Sequence, residues 1–344
     1  MAQTTLFTTL RTRIIGIGLL LVAFNLAAWG WALAAFHEHP LLLGTALLAY
    51  GFGLRHAVDA DHIAAIDNVT RKLMQEGKRP VAVGLFFSLG HSSVVVALSA
   101  VLAATASALR EFETLKEIGG LIGTAVSAFF LFTIAAINIV ILVATWRAFR
   151  AVRHGAPPAE DDLDLMMAGG GLMCRLFRRL FRLIGGSWHM YGLGLLFGLG
   201  FETATEVGLL GLSATGAANG LSPWTIMVFP ALFSAGMALV DTADGILMLG
   251  AYGWAFVKPI RKLYYNVTIT LVSVAVAVIV GGIEVLGLLA DQFKPEGPFW
   301  EAVNQVNDNF GLLGYAIIGV FVLGWLASLA IYRLKRYDEI EVAG

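Results

Sequence analysis

Imidazole and carboxylate side chains occur inside segments that are otherwise strongly apolar. They fall in four strings, which are RHAVDADHIAAID (55–67), FFSLGHSSVV (86–95), LGFETATE (199–206) and GMALVDTAD (236–244). The ionisable side chains that we single out in them are Arg55, His56, Asp59, Asp61, His62, His91, Glu202, Glu206, Asp241 and Asp244. A charged group at the centre of a bilayer costs about 2.5–3.5 kcal/mol, so these side chains must face a protein interior and be neutralised there. One arginine cannot balance six acids, whereas a bound metal cation can.

The spacing within the first string places several of these side chains on one helix face. At about 100° per residue, His56, Asp59 and His62 lie within an arc of about 120°. Asp61 points about 100° away from His62, so either the helix is broken here or Asp61 faces a second helix. Glycines just upstream in the sequence favour a local break.

The ligand types indicate which class of metal would bind. Imidazole suits nickel, cobalt, zinc, copper and iron, whereas magnesium and calcium prefer oxygen ligands. The single cysteine, Cys174, is remote from the four strings, which argues against a thiolate site for copper(I). The sequence therefore predicts a site for a divalent late transition metal. Its candidate ligands are His56, Asp59, Asp61, His62 and His91. The candidates for the transport path, or for supporting those ligands, are Arg55, Glu202, Glu206, Asp241 and Asp244.

Composition places these residues in a membrane protein. Apolar residues make up 58% and charged residues 14% of the 344 residues, against about 45–50% and about 25% in soluble domains. Several apolar stretches are long enough to cross about 30 Å of hydrocarbon. We therefore predict an all-α, polytopic transmembrane bundle with eight spans. These spans cover residues 14–36, 41–67, 81–104, 118–146, 188–213, 223–256, 263–290 and 310–332.

Basic residues predict how the spans are oriented. Most of the 23 Lys and Arg residues fall at the termini and in the loops of one side, which predicts that both termini are cytoplasmic. Spans 1–4 then occupy residues 1–148, a cytoplasmic loop occupies 149–187, and spans 5–8 occupy 188–344. In the second half of that loop, arginines alternate with apolar residues at helical spacing. This pattern predicts an amphipathic helix, either on the lipid surface or packed on the bundle.

A weak internal repeat relates the two halves of the chain. Residues 53–61 align with 198–206, and the string FSLG at 87–90 aligns with FSAG at 233–236. Equivalent spans of the two copies are three predicted helices apart along the chain, so the two copies would run in opposite directions through the bilayer. Inverted repeats with polar sites at their interface are a common plan among transporters.

The four strings resemble, in order, the signatures of the nickel/cobalt transporter (NiCoT) family. His56, Asp61 and His62 fit its H-x-x-x-x-D-H signature, and the resemblance extends over nearly the whole chain. It implies uptake of Ni²⁺ or Co²⁺ as substrate across a cytoplasmic (inner) membrane, with that signature central to recognition and no cofactor. Two residues depart from the pattern: Glu202 stands where Asp is expected, and Ser93 where Thr is common.

Other functions remain open at this point. His56 and Asp61 also satisfy the short H-x-x-x-x-D pattern of lipid acyltransferases, and histidines, carboxylates and a metal ion could activate water in an intramembrane hydrolase. Efflux in place of uptake is a third possibility. The chain contains no Walker-type G-x-x-x-x-G-K-[ST] string, so we predict no nucleotide hydrolysis and no obligate ATPase subunit. A net charge of −1 argues against a nucleic-acid partner.

Overall fold

The computed structural model describes residues 2–104, 108–153, 184–199, 204–255 and 259–334. These parts are helical and contain no strand, which confirms the all-α class. The helices are α1 (Ala2–Phe36), α2 (Pro40–His56), α3 (Ala60–Gln75), α4 (Val83–Ala104), α5 (Ala108–Arg153), α6 (Met190–Phe197), α7 (Ala204–Ala218), α8 (Pro223–Ile226), α9 (Val228–Ala255), α10 (Pro259–Phe293), α11 (Pro298–Asp308) and α12 (Phe310–Leu334).

The described helices support most of the predicted spans. Five segments are long and apolar enough to cross a membrane alone: Leu10–Phe36, Val83–Ala104, Leu121–Arg147, Pro223–Gly250 and Val267–Phe293. The number rises to seven if each of two bent helix pairs counts as one span. The predicted span 188–213 falls on α6 and α7, between which residues 200–203 lie outside the described part. The total of eight therefore stays a prediction. Most of the predicted loop at 149–187 also lies outside the described residues.

The first bent pair is the broken helix, one of the two alternatives for Asp61, and it means that His56, Asp59 and His62 do not share one face of a straight helix. Helix α2 ends at His56 and α3 begins at Ala60, with a bend of 51° between them. Asp59 has extended backbone angles immediately before α3. Asp61 lies in the first turn of α3, and its Oδ1 accepts the backbone N–H of His62 at 2.9 Å. A carboxylate suits this position because the first N–H groups of a helix have no partner within the helix.

Glycines allow the helices around this break to pack backbone to backbone. A Cβ at Gly53 of α2 would overlap the carbonyl of Phe233 in α9, and a Cβ at Gly194 of α6 would overlap the carbonyl of Phe87 in α4. Gly314 of α12 lies in the same way against the carbonyl of Val58, within the break itself. Small residues at helix interfaces are how membrane helices approach closely without a hydrophobic driving force.

Two basic residues are not where the sequence suggests. By sequence, Arg71 and Lys72 belong to the loop after the second span, but they lie in α3 and are only 1% and 3% exposed. Helix α3 continues to Gln75, and Lys72 pairs with Glu76 just after its end, with Nζ and Oε1 3.0 Å apart. The first exposed basic residues after α3 are Lys78 and Arg79.

Candidate metal site

Three histidines from three helices meet at the break. His56 ends α2, His62 lies in α3 and His91 lies in α4, and they are 2%, 0% and 2% exposed. Each offers a ring nitrogen, and these atoms lie within 4.8 Å of one another. The ring centroids are 4.7–4.9 Å apart. Such a group of buried imidazoles is the donor set expected for a late transition metal.

Carboxylates orient two of these rings. Nδ1 of His56 donates to Oδ2 of Asp59 at 2.9 Å, and Nδ1 of His62 lies 3.3 Å from Oδ1 of Asp241 in α9. Both rings then present the lone pair of Nε2 to the centre of the cluster, and Nε2 of His62 has no hydrogen-bond partner. This is the carboxylate–histidine arrangement that fixes the tautomer of metal-binding imidazoles.

A third carboxylate serves the remaining ring. Nε2 of His91 lies 2.8 Å from Oε1 of Glu206 in α7 and 2.9 Å from Nε2 of His56. Two imidazole lone pairs at this spacing would repel each other, so a proton or another cation must lie between them. Because Nδ1 of His56 donates to Asp59, the hydrogen-bond pattern assigns the shared proton to Nε2 of His91. Metal binding at this nitrogen would displace that proton.

Comparison with known proteins decides what kind of protein carries this cluster. The sequence matches the high-affinity nickel-transport protein family over residues 42–331. The chain belongs to this family. It is 62% identical over 333 residues to a high-affinity nickel transport protein of Cupriavidus necator. The aligned region covers 96% of this chain and 95% of that protein. No solved structure matches the chain.

Further members of the nickel-transport family extend the range of named substrates. The chain is 53% identical over 313 residues to the hydrogenase nickel incorporation protein HupN of Bradyrhizobium diazoefficiens (91% of this chain, 82% of that protein). It is 44% identical over 298 residues to the cobalt transport protein NhlF of Rhodococcus rhodochrous (86% and 84%). The family resemblance read from the four strings is confirmed. The family and its members are transporters and not enzymes, which excludes the hydrolase and acyltransferase alternatives.

The other residues that the sequence singled out occupy distinct places in this nickel-transport fold. Arg55 is half-buried and interacts electrostatically with Asp59. Asp61 adjoins the three histidines, with one carboxylate oxygen engaged by the backbone of α3. Asp244 lies one turn beyond Asp241 in α9. Glu202 lies outside the described residues.

Some residues of the site were not identified from sequence. Oγ1 of Thr205 lies 3.3 Å from Nδ1 of His56. The ring of Phe87 packs edge-on against His62 at 4.8 Å, and that of Phe233 lies 5.5 Å from His56. These two rings keep water from the imidazoles and thereby strengthen electrostatic interactions there. The sequence contained a signal for the two phenylalanines, because Phe87 and Phe233 are matching positions in the internal repeat.

Replacing Asp59 with asparagine should weaken nickel binding about 10–100-fold, the range for losing such an outer partner. The amide can donate to Nδ1 of His56, which favours the tautomer whose Nε2 carries the proton and offers no lone pair. The measurement is nickel titration calorimetry on purified protein. Asp291→Asn, at an exposed position late in α10, is the control. Affinity within threefold of wild type would contradict the role of Asp59.

Proposed function

We propose that this chain is a secondary transporter that takes up Ni²⁺ and/or Co²⁺ across a bacterial cytoplasmic membrane. The ion is recognised at the break between α2 and α3 by the H-x-x-x-x-D-H motif together with His91. The observation that carries the proposal is the convergence of three buried imidazoles, each paired with a carboxylate from the same protein. Relatives named as nickel and cobalt transport proteins support this substrate class.

The roles within the motif follow from position. His56, His62 and His91 supply nitrogen ligands, and Asp59 holds His56 in the tautomer that can bind. Asp61 adjoins the same centre and adds a negative charge beside the divalent cation. The break matters because a helix that ends inside a bundle brings side chains and backbone groups to one point in the membrane.

The membrane potential is a sufficient energy source for this uptake. Moving one charge through 100 mV is worth about 2.3 kcal/mol, so a divalent cation gains about 4.6 kcal/mol. Since 1.4 kcal/mol is a factor of ten, this gain supports accumulation of more than about a thousandfold. Uptake of this kind requires no nucleotide and no ATPase subunit.

Proteoliposomes test this energy source. With an inside-negative potential of about 100 mV imposed by valinomycin and a potassium gradient, the steady-state level of ⁶³Ni²⁺ inside should be at least about a hundredfold higher than without a potential, because the driving term is about 4.6 kcal/mol. Empty liposomes under the same potential are the control. Equal accumulation with and without the potential would rule out voltage-driven uptake.

The direction of nickel transport in cells distinguishes uptake from efflux, which is the second candidate function. Cells that express the protein should become more sensitive to toxic nickel if it imports the ion and more resistant if it exports it. The basic residues at the termini and in the loops of one side support cytoplasmic termini. Labelling of single cysteines introduced at the two termini, in intact cells and in broken cells, tests that orientation.

An inverted repeat offers a mechanism for moving the ion. Helices α2 and α6 carry similar strings near their ends, YGFGL at 50–54 and YGLGL at 191–195, which differ at one position. Helix α2 packs through Gly53 on α9, which contains FSAG, and α6 packs through Gly194 on α4, which contains FSLG. Each contact therefore joins one half of the chain to the other. This packing favours a match of Gly53 with Gly194 in place of Gly198. Rocking of these two equivalent interfaces would expose the histidines to each side in turn.

A further inference from the structure

A second polar group lies inside the bundle beyond the histidines. Asp67 of α3 is fully buried, and its Oδ2 accepts a hydrogen bond from Oγ of Ser273 in α10 at 2.7 Å. At about 1.5 Å per residue, Asp67 lies about 7.5 Å further along α3 than His62. On α9, Oδ2 of Asp244 is buried and has no hydrogen-bond partner. Neither carboxylate contributes to the three histidine pairs described above.

Helix packing brings these two acids to the same level. Next to Asp244, Gly245 lies so close to α3 that a Cβ there would be 3.5 Å from Cγ2 of Ile66. Residues 244–245 of α9 therefore face residues 66–67 of α3. Asp244 interacts electrostatically with Asp67 and with Asp241.

Asp241 connects this level to the histidines. It is fully buried, and one oxygen faces His62 while the other, Oδ2, has no hydrogen-bond partner. Asp241 and Asp244 are three residues apart and so share one face of α9. On α9, carboxylates one turn apart thus lead from the imidazoles towards the pair Asp67 and Asp244.

The nearby arginine is held by neutral partners. Arg71 is 1% exposed; its guanidinium donates to Oδ1 of Asn68 and to Oγ1 of Thr270, both at 3.0 Å. Asn138 of α5 donates to the same oxygen of Asn68 at 2.7 Å. The bond to Thr270 directs the guanidinium towards α10.

We propose that Asp67 and Asp244 form a second, oxygen-only cation site that receives Ni²⁺ or Co²⁺ from the histidine site on its way to the cytoplasm. The proposal rests on the proposed uptake function. Carboxylates bind these ions less tightly than imidazoles, so a step from nitrogen to oxygen ligands weakens binding towards the exit. Conduction requires binding that is favourable enough to admit the ion and weak enough to release it.

Under this proposal, loss of either carboxylate of the second site should slow nickel transport and leave nickel binding at the histidine site unchanged. Asp67→Asn and Asp244→Asn keep the size of each side chain and remove its charge. Each should lower the initial rate of ⁶³Ni²⁺ uptake in proteoliposomes at least tenfold, while the nickel affinity of the purified protein stays within threefold of wild type. The matched control is Glu284→Gln, a buried carboxylate of α10 that also accepts a serine hydroxyl, from Ser127 at 2.8 Å. Its uptake should stay within threefold of wild type.

The outcomes are distinguishable from failure of the uptake function. Wild-type rates in both variants would overturn the second site and leave the histidine site untouched. Loss of high-affinity binding in either variant would overturn it too, because the carboxylate would then belong to the histidine site. Failure of the wild-type protein to take up nickel would instead refute the proposed function.

Manganese can detect the second site directly, because Mn²⁺ prefers oxygen ligands. In purified His62→Ala protein, electron paramagnetic resonance should show weakly bound Mn²⁺. When Asp67→Asn and Asp244→Asn are both added to the His62→Ala protein, the signal of protein-bound Mn²⁺ should disappear. If the His62→Ala protein binds no Mn²⁺, or if the signal persists in the combined variant, the second site is wrong.

Discussion

His62→Ala is expected to weaken nickel binding at least about a hundredfold and to abolish uptake at low nickel concentration. A four-ligand structural metal site is worth about 10–16 kcal/mol, or about 3 kcal/mol for each ligand. A loss of about 3 kcal/mol is about a hundredfold in affinity. The same change leaves Asp241 without the imidazole that lies 3.3 Å from it. Calorimetry and ⁶³Ni²⁺ uptake measure the two effects.

The control for this variant is His189→Ala, a histidine outside the cluster whose Nδ1 lies 3.2 Å from the carbonyl of Gly186. It should bind and transport nickel as the wild type does. Size-exclusion chromatography shows whether the His62→Ala protein keeps its fold. A folded variant with wild-type affinity would show that the three histidines do not form the recognition site.

Gly53→Ala and Gly194→Ala are each expected to lower the uptake rate at least about tenfold. The added Cβ would meet a backbone carbonyl, of Phe233 or of Phe87, which cannot move unless two helices separate. Overpacking of this kind costs about 1–3 kcal/mol. The separation would also displace the histidines, because Phe233 packs on His56 and Phe87 packs on His62.

The two neighbouring glycines supply matched controls. A Cβ at Gly51 of α2 or at Gly192 of α6 would meet no heavy atom within 4 Å. Alanine is a better helix former than glycine by about 1 kcal/mol, so Gly51→Ala and Gly192→Ala should retain uptake and slightly raise the melting temperature. Equal uptake by all four variants would show that the close helix contacts do not support the site.

Local pattern determined the class of this protein and the candidate ligands of its site. Apolar stretches with internal imidazoles and acids indicate a membrane bundle with a cation site, because hydrocarbon tolerates such groups only when they face inward and are neutralised. A straight helix would place His56, Asp59 and His62 on one face, but α2 ends at His56 and α3 begins at Ala60, which is the broken-helix alternative that the misfit of Asp61 left open. The histidine spacing and the three later strings were enough to place the chain in its family.

Only the tertiary structure decided which side chains meet. The partner of His62 is Asp241, 179 residues away, and the partner of His91 is Glu206, 115 residues away. A periodic pattern reports which face of one helix is buried, but it carries no information on which residue of another helix lies opposite. That choice depends on the depth and register at which the helices pack. Here glycine contacts between backbones set that register, and a pattern of apolar residues cannot reveal it.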